Sequence, residues 1–475
     1  MITTNKLLFK AVFQGLVALG VGAIVTGCST YNQRNPFAGY YRYGNLASAE
    51  TEAVRMADSE KNSKDAIIWR LEEATILRAN GKYKESNTAF EMAEAKIDDY
   101  ANQAKIKLGN EAGAMLSNQA NLPYRGRSYD GIMLNTYKSL NYMQLGDLDR
   151  ARVEINRAYT RQQEAVDANK KRIADAQAEE ANSKDKDKVE KARQDPKFKG
   201  ELDQAYGNLD QLKAYSDYVN PFTVYIQGLY FLSNPAGISD LEKARKSLQR
   251  VLAFEQDNKF IKEDLKLEED LTAGKPFPPT TYVIFETGLA PMREQLRIDI
   301  PIIFLNVSYV GAAFPLFRPQ EDFQPALNVY TSGGVKETTQ LVASMDSVVG
   351  TDFKNEMPVI ITKTLVATIA KAAASYAITE AAEKGGGDVG KWVARLGTLA
   401  YGVAVNIADL RTWTTLPKQF QVCRIPTPAD RKIDLQTAGG GQRITVTLNE
   451  GTVNVIYAKS ITSMSPLFVS QMKLK

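Results

Sequence analysis

The chain is expected to fold as an α+β protein, with a helical N-terminal half followed by an antiparallel β domain that carries inserted helices. Three observations predict this. From about Lys61 to Ala273 apolar residues recur at helical spacing, punctuated by glycines at 81 and 146. The composition then shifts at Lys275-Pro276-Phe277-Pro278-Pro279, a linker rich in proline. Beyond it, short runs such as Thr281–Glu286 and Leu296–Phe304 alternate or run apolar, as strands do.

The N-terminus reads as a leader. Lys6 and Lys10 give it a positive start, and the stretch from Ala11 to Val25 is apolar apart from Gln14 and small residues. That stretch falls short of the ~20 residues a membrane span needs and matches a secretory signal core. It ends in Val25-Thr26-Gly27-Cys28. The tetrapeptide resembles the lipobox of bacterial lipoproteins, in which small residues fit a narrow protease groove and the cysteine thiol takes a diacylglycerol. The resemblance implies a signal peptide over 1–27, lipidation of Cys28 with acyl chains such as palmitate, and, because Ser29 is not Asp, export to the periplasmic face of the outer membrane. Two or three acyl chains hold a membrane stably where one binds only marginally. Residues 28–60 are expected to form a tether, because Thr30–Asn45 is rich in Asn, Gly and Tyr with little core-forming pattern.

Composition removes several function classes. The 475 residues suffice for two or three domains, and 44% hydrophobic with 24% charged residues is ordinary for a globular chain. The net charge of +4 includes the two leader lysines and offers no basic field for nucleic acid. Histidine is absent, which takes away the commonest general base and metal ligand. Acylation of Cys28 leaves Cys423 without a partner in the chain, so Cys423 reads as a small buried strand residue. Gly385-Gly386-Gly387-Asp388 and Gly439-Gly440-Gly441 lack the Lys-Ser/Thr of a phosphate loop, and no Gly-x-Ser-x-Gly elbow occurs. No cofactor, metal or nucleic acid is therefore expected.

The helical domain, 61–273, carries a repeated pattern. Ala74 and Leu77 precede Gly81-Lys82-Tyr83-Lys84-Glu85-Ser86, with Phe90 and Ala93 following. Tyr142 precedes Gly146-Asp147-Leu148-Asp149-Arg150-Ala151, with Ile155 and Ala158 following. Both resemble the tetratricopeptide repeat: glycine closes the turn between antiparallel helices, and a small residue five positions on lets them approach. Asp240–Arg245 with Leu248 and Val251 is a weaker third copy. The two turn glycines lie close to two repeat lengths apart, at about 34 residues per repeat, so any hairpin between them is expected to be degenerate. Such hairpins stack into a curved array whose inner face binds partners. Residues 162–199 interleave Lys, Glu and Asp with few apolar side chains, and read as a solvated helical extension interrupted near Pro196.

The β domain is expected from 274–340 and 411–475, with a helical insert over 341–410. Its strands are Thr281–Glu286, Leu296–Phe304, Val307–Pro315, Ala326–Tyr330, Phe420–Ile425, Lys432–Leu435 and a final hairpin of Arg443–Leu448 with Val453–Tyr457. In the insert, Leu341–Met357 reads as one helix, and Pro358 starts an Ala-rich second over Val359–Glu383. Lys391–Ala408 is a third. Lys363, Lys371, Glu380 and Arg395 recur too often for lipid exposure, so these helices read as core, or as an oligomer contact over 358–408.

Three stretches carry a family resemblance. They are Tyr137–Tyr142 with Gly146–Glu154, Phe285–Pro291 with Arg297–Pro301, and Ala408–Pro417. In order and spacing the chain resembles uncharacterised lipoproteins of Gram-negative bacteria with tetratricopeptide-like N-terminal helices. That resemblance implies location and architecture, and no catalytic residues. The expected function is a lipid-anchored scaffold that binds an envelope protein through its helices, in assembly or maintenance of the cell envelope. The alternative is a peptidoglycan or glycan hydrolase using a carboxylate pair such as Glu286 with Asp299, which needs the two groups about 5 to 9.5 Å apart. Asp409, Arg411 and Trp413 form the remaining functional-looking cluster, with a salt-bridged corner under a tryptophan as its structural reading.

Overall fold

A computed structural model of the chain describes residues 35–106, 119–213, 215, 219–302, 309–334, 336–385, 407–441 and 443–475. The expected leader, Cys28 and the stretch 386–406, where most of the third insert helix was expected, lie outside the described residues. The architecture is α+β, with helices first and an antiparallel-rich sheet region after them.

The helical part opens with α1 (Ala38–Arg42) and α2 (Leu46–Ser59). Three hairpins follow: α3 (Ala66–Ala79) with α4 (Tyr83–Ile106), α5 (Ser128–Gln144) with α6 (Leu148–Asn182), and α9 (Pro221–Ser233) with α10 (Ile238–Phe254). Between the second and third lie α7 (Lys186–Gln194) and α8 (Pro196–Tyr206); α11 (Lys259–Thr272) closes the set.

The turns show why the repeat spacing works. Gly81 and Gly146 adopt φ of +77° and +74°, which a side chain resists. In both turns the residue after the glycine donates its N–H back into the preceding helix, Lys82 to Leu77 and Asp147 to Tyr142, each at 2.9 Å. Ser86 is fully buried, and its hydroxyl bonds the Ala74 carbonyl across the hairpin at 2.7 Å. In the third hairpin the close approach falls instead to Gly228, where an added Cβ would meet Leu248 at 3.1 Å.

Eleven strands form three sheets among the described residues. The central five-stranded sheet runs β11 (Phe468–Lys473), β10 (Val453–Ser460), β1 (Thr280–Thr287), β7 (Gln419–Pro426) and β6 (Gln340–Ser344). All its pairings are antiparallel except β1 with β10. A ribbon joins β2 (Met292–Pro301) to β3 (Tyr309–Arg318). A small sheet runs β5 (Lys336–Thr338), β4 (Leu327–Thr331), β8 (Lys432–Thr437) and β9 (Ile444–Thr447).

Strand alternation sets the layers. Ile284, Glu286, Tyr457 and Phe420 share the face toward the helices; there Phe222 of α9 stacks on Phe420 at 3.7 Å. Thr287 and Gln421 take the other face and bond the segment leading into β4, at Gln324 and Pro325. One buried cluster runs from Phe37 to Leu474, so the core is not divided at the proline linker.

Five expectations need correction. Part of the expected tether is packed structure: Phe37, which caps the start of α1, is fully buried, and Tyr41 within α1 nearly so. The described part of the interval between the first two hairpins, 119–127, holds a single 3-10 turn rather than a degenerate hairpin, and α4 packs directly on α5. The charged stretch folds back: Val189, Ala192 and Phe198 are fully buried, and Phe198 meets Phe314 of β3. Leu341–Ser344 is strand β6, and the helix α12 (Met345–Gly385) starts only after it and runs through Pro358 unbroken. The expected final hairpin does not form, because β9 pairs with β8 while β10 pairs with β1 and β11. Each of these sequences carries the right local period for some element, but partners are chosen by burial across the whole core.

Candidate functional site

The segment 409–415 is a clamp between the chain's two halves. Arg411, 5% exposed, donates to both carboxylate oxygens of Asp409 at 2.8 Å, to Asp65 at 2.8 Å and to the Leu122 carbonyl at 2.8 Å. Its own carbonyl accepts from Arg127 Nε and Nη2 at 3.2 and 3.0 Å. Trp413 is fully buried among Phe90 and Tyr137, and its Nε1–H lies 2.9 Å from Thr75 and 3.0 Å from Thr415. Glu72 of α3 accepts the N–H groups of Thr414 and Thr415. Every strong polar group of the cluster is consumed internally. Burial raises the Asp409 carboxyl, but the bonds to Arg411 outweigh it and hold it below its ordinary value. This is the geometry of a salt-bridged corner under a tryptophan.

Glu286 and Asp299 are not brought together. Asp299 lies on the two-stranded ribbon, partly exposed, with Lys197 at 3.4 Å. Glu286 lies in the central sheet, 2% exposed, bonded to Tyr137, Tyr457 and Lys459. The two carboxylates lie in different sheets and share no bonded partner among the described residues.

Glu286 belongs instead to a cleft of about 570 Å³. The start of α2 forms one wall, with Asn45, Leu46 and Ala47. The first tetratricopeptide-like hairpin forms the second, with Arg78, Gly81 and Tyr83. Tyr137, Glu286, Tyr457 and Lys459 make the floor, and Phe468 to Ser470 of β11 the far side. The floor is aromatic and charged at once. The Arg78 guanidinium lies 4.7 Å from the Tyr457 ring and 5.3 Å from the Tyr137 ring, and Nη1 donates to Asn141 at 2.6 Å. Burial alone would raise the Glu286 carboxyl; the Lys459 ammonium, the Tyr457 hydroxyl and Arg78 reverse this and keep it ionised below its ordinary value. Burial draws Lys459 below a normal lysine, against the pull of Glu286.

The polar groups of the cleft floor converge on Glu286. Its phenols are held in the neutral form: burial, then the Glu286 charge, push Tyr137 and Tyr457 well up. Its size and mixed lining are those of a binding pocket. The sequence had singled out Glu286 alone among these groups. Arg78 sits in an unremarkable helical stretch, and Tyr457 and Lys459 lie at the other end of the chain from it, so no local spacing announces the set.

Cys423 is fully buried in β7, and burial pushes its thiol up, which makes it a poor nucleophile. Among the described residues no group of three His, Cys, Asp or Glu side chains is placed to hold a metal ion. No helix among them is long and apolar enough to cross a membrane. Comparison of the chain with protein-family models, with curated proteins and with solved structures finds no match.

Proposed function

We propose that the chain is a lipid-anchored, non-catalytic binding protein on the periplasmic face of the bacterial outer membrane, tethered through Cys28, and that it engages an envelope protein at its first helical hairpin. The observation that carries the reading is the cleft walled by that hairpin, which has the size and chemistry of a binding site and no reacting group. The inner face expected to bind partners is filled by the chain's own sheet. Residues 66–78 of α3, 129–143 of α5 and all of α9 are buried. Partner contact therefore falls to the open end of the first hairpin.

Two measurements test this. Replacing Cys28 with Ser abolishes membrane fractionation while the fold, followed by circular dichroism, persists; a Cys28→Ser chain still found with membranes removes the anchor. A photo-crosslinking amino acid at Tyr83 gives a discrete envelope adduct in cells, and one at Lys246, far out on α10, does not. Absence of any adduct at Tyr83 overturns the binding reading.

A further inference from the structure

The end of α1 and the turn 461–466 between β10 and β11 are tied together at two points. The Thr462 hydroxyl donates to the Arg42 carbonyl at 3.1 Å. Pro466 lies against Gly44, where an added Cβ would meet its Cδ at 2.7 Å. Tyr43 falls between the two ties on one segment and Met464 between them on the other. Both side chains stand in solvent. Met464 is 89% and Tyr43 84% exposed, the two highest values for large apolar side chains among the described residues. Tyr40, one helical turn before Tyr43, is half-exposed beside it.

A single exposed apolar side chain is ordinary on a protein surface. Here the backbone beneath is fixed. Ser465 Oγ accepts the N–H groups of Ile461 and Thr462 at 2.8 and 3.0 Å, and the Ser463 N–H donates to Asp322 at 3.0 Å. Met464 is therefore held outward by a bonded turn. Neighbouring charges are paired, Arg42 with Asp322 at 3.7 Å and Glu321 with Lys418 at 3.1 Å. An ordered apolar projection among neutralised charges fits an interfacial surface rather than a charged one. Chain length says which surface. Cys28 lies seven residues before Asn35, where the described chain starts, and seven residues fully extended span at most ~25 Å. A compact chain of this length has a radius of gyration of about 22 Å, so such a tether cannot turn its far side to a bilayer. Tyr43, eight residues beyond Asn35, lies on the near side.

Resting on the anchored reading above, we propose that Tyr40, Tyr43 and Met464 enter the headgroup layer of the membrane that holds the Cys28 lipid. The chain then has a second, protein-made contact with the bilayer and keeps one face toward it. Tyrosine suits that layer because its ring is apolar while its hydroxyl stays wet. Methionine is apolar and flexible, and fills irregular space between acyl chains. Gly44 and Phe468, which touch each other at this junction, both line the cleft. The contact therefore sets how the cleft opens relative to the membrane.

The test uses the full-length lipidated chain in vesicles of phosphatidylethanolamine and phosphatidylglycerol. With Cys28 acylated and Cys423 buried, a cysteine added at the surface is the thiol that a fluorophore labels. Met464→Cys and Tyr43→Cys carry an environment-sensitive label, and Ile238→Cys, an exposed apolar position on the third hairpin, is the control. The labels at 464 and 43 shift to the blue and lose fluorescence to nitroxide-bearing lipid. A nitroxide near the headgroup quenches them more than one deep in the chain, because an interfacial contact reaches only ~5 to 10 Å in. The label at 238 shows neither change. The loss persists at ~1 M salt, where surface charge is screened. Equal quenching at 238, quenching abolished by salt, or Met464→Cys chains that crosslink to one another without quenching, the mark of a second copy, overturns the proposal. If the chain floats with the vesicles while the label at 464 stays in water, the contact falls and the anchor stands. If the unlabelled chain does not float, the anchor falls and the contact with it.

Discussion

At the scale of residues, the chain spends its buried charges on holding itself together. Arg411 pairs with Asp409 and Asp65 and anchors a carbonyl, so Arg411→Ala leaves two half-buried acids without their shared partner. Losing hydrogen bonds to a charged group costs ~1.5 to 3 kcal/mol, and urea unfolding should report a loss in that range. Glu286→Gln leaves buried Lys459, beneath Tyr41, without its carboxylate and should cost ~3 to 5 kcal/mol. The double variant Glu286→Gln with Lys459→Met removes both charges and should recover most of it, which the same titration measures. The sequence made the Asp409–Arg411–Trp413 corner legible, because acid, arginine and tryptophan two residues apart suggest a packed turn. It did not reveal Arg78, whose environment is made by residues from three distant segments.

At the scale of elements, the helical hairpins were readable because a left-handed glycine and a small residue at fixed spacing have a local cause. The strands were readable as strands, but their partners were not. Ile444–Thr447 and Val453–Ser460 lie close in sequence and both alternate, yet the second is buried along its whole length and is drawn into the central sheet. Pro358 illustrates the opposite error. Its missing N–H favours a first helical turn, but the apolar face of α12 continues through it, with Phe353, Ile360, Leu365 and Ile369 all buried. Tertiary packing outweighs the lost bond there. Pro358→Ala should restore a hydrogen bond at an exposed site and raise stability by ~1 to 3 kcal/mol, visible as a higher thermal midpoint.

At the scale of the whole molecule, the common core makes the two halves depend on each other. The segment 35–274 expressed alone exposes the buried faces of α3, α5 and α9, and should unfold without cooperativity and bind a hydrophobic dye. Stability should also depend on pH with a definite sign. Burial pushes Asp130 and Asp264 up to about 7, against the opposing bonds from Arg127 and Tyr124 and the charge of Arg424. The unfolded chain releases these protons near pH 4, before the native state does, so this contribution to stability falls as pH rises from about 4 to 7. Glu94 and Glu356 behave oppositely. Burial raises them, but lysine and arginine partners hold both at about 2, and their contribution is lost as pH falls below about 4.5. Denaturant midpoints should therefore peak near pH 4 to 5, and the double variant Asp130→Asn with Asp264→Asn should flatten the decline toward neutrality.

The parallel join of β1 to β10 has a consequence in time. Lys459 meets Glu286 across 173 residues of chain, and β11 must then seal the sheet from the last few positions. A chain threaded through a pore from its N-terminus delivers the helices first, with their apolar faces bare and the slot for Trp413 open. Loop closure over that distance is slow, so a long-lived, unsealed intermediate is built into the topology. Emergence of the final strand, rather than of any functional residue, ends that vulnerable interval, and a chain cut before Phe468 would never leave it.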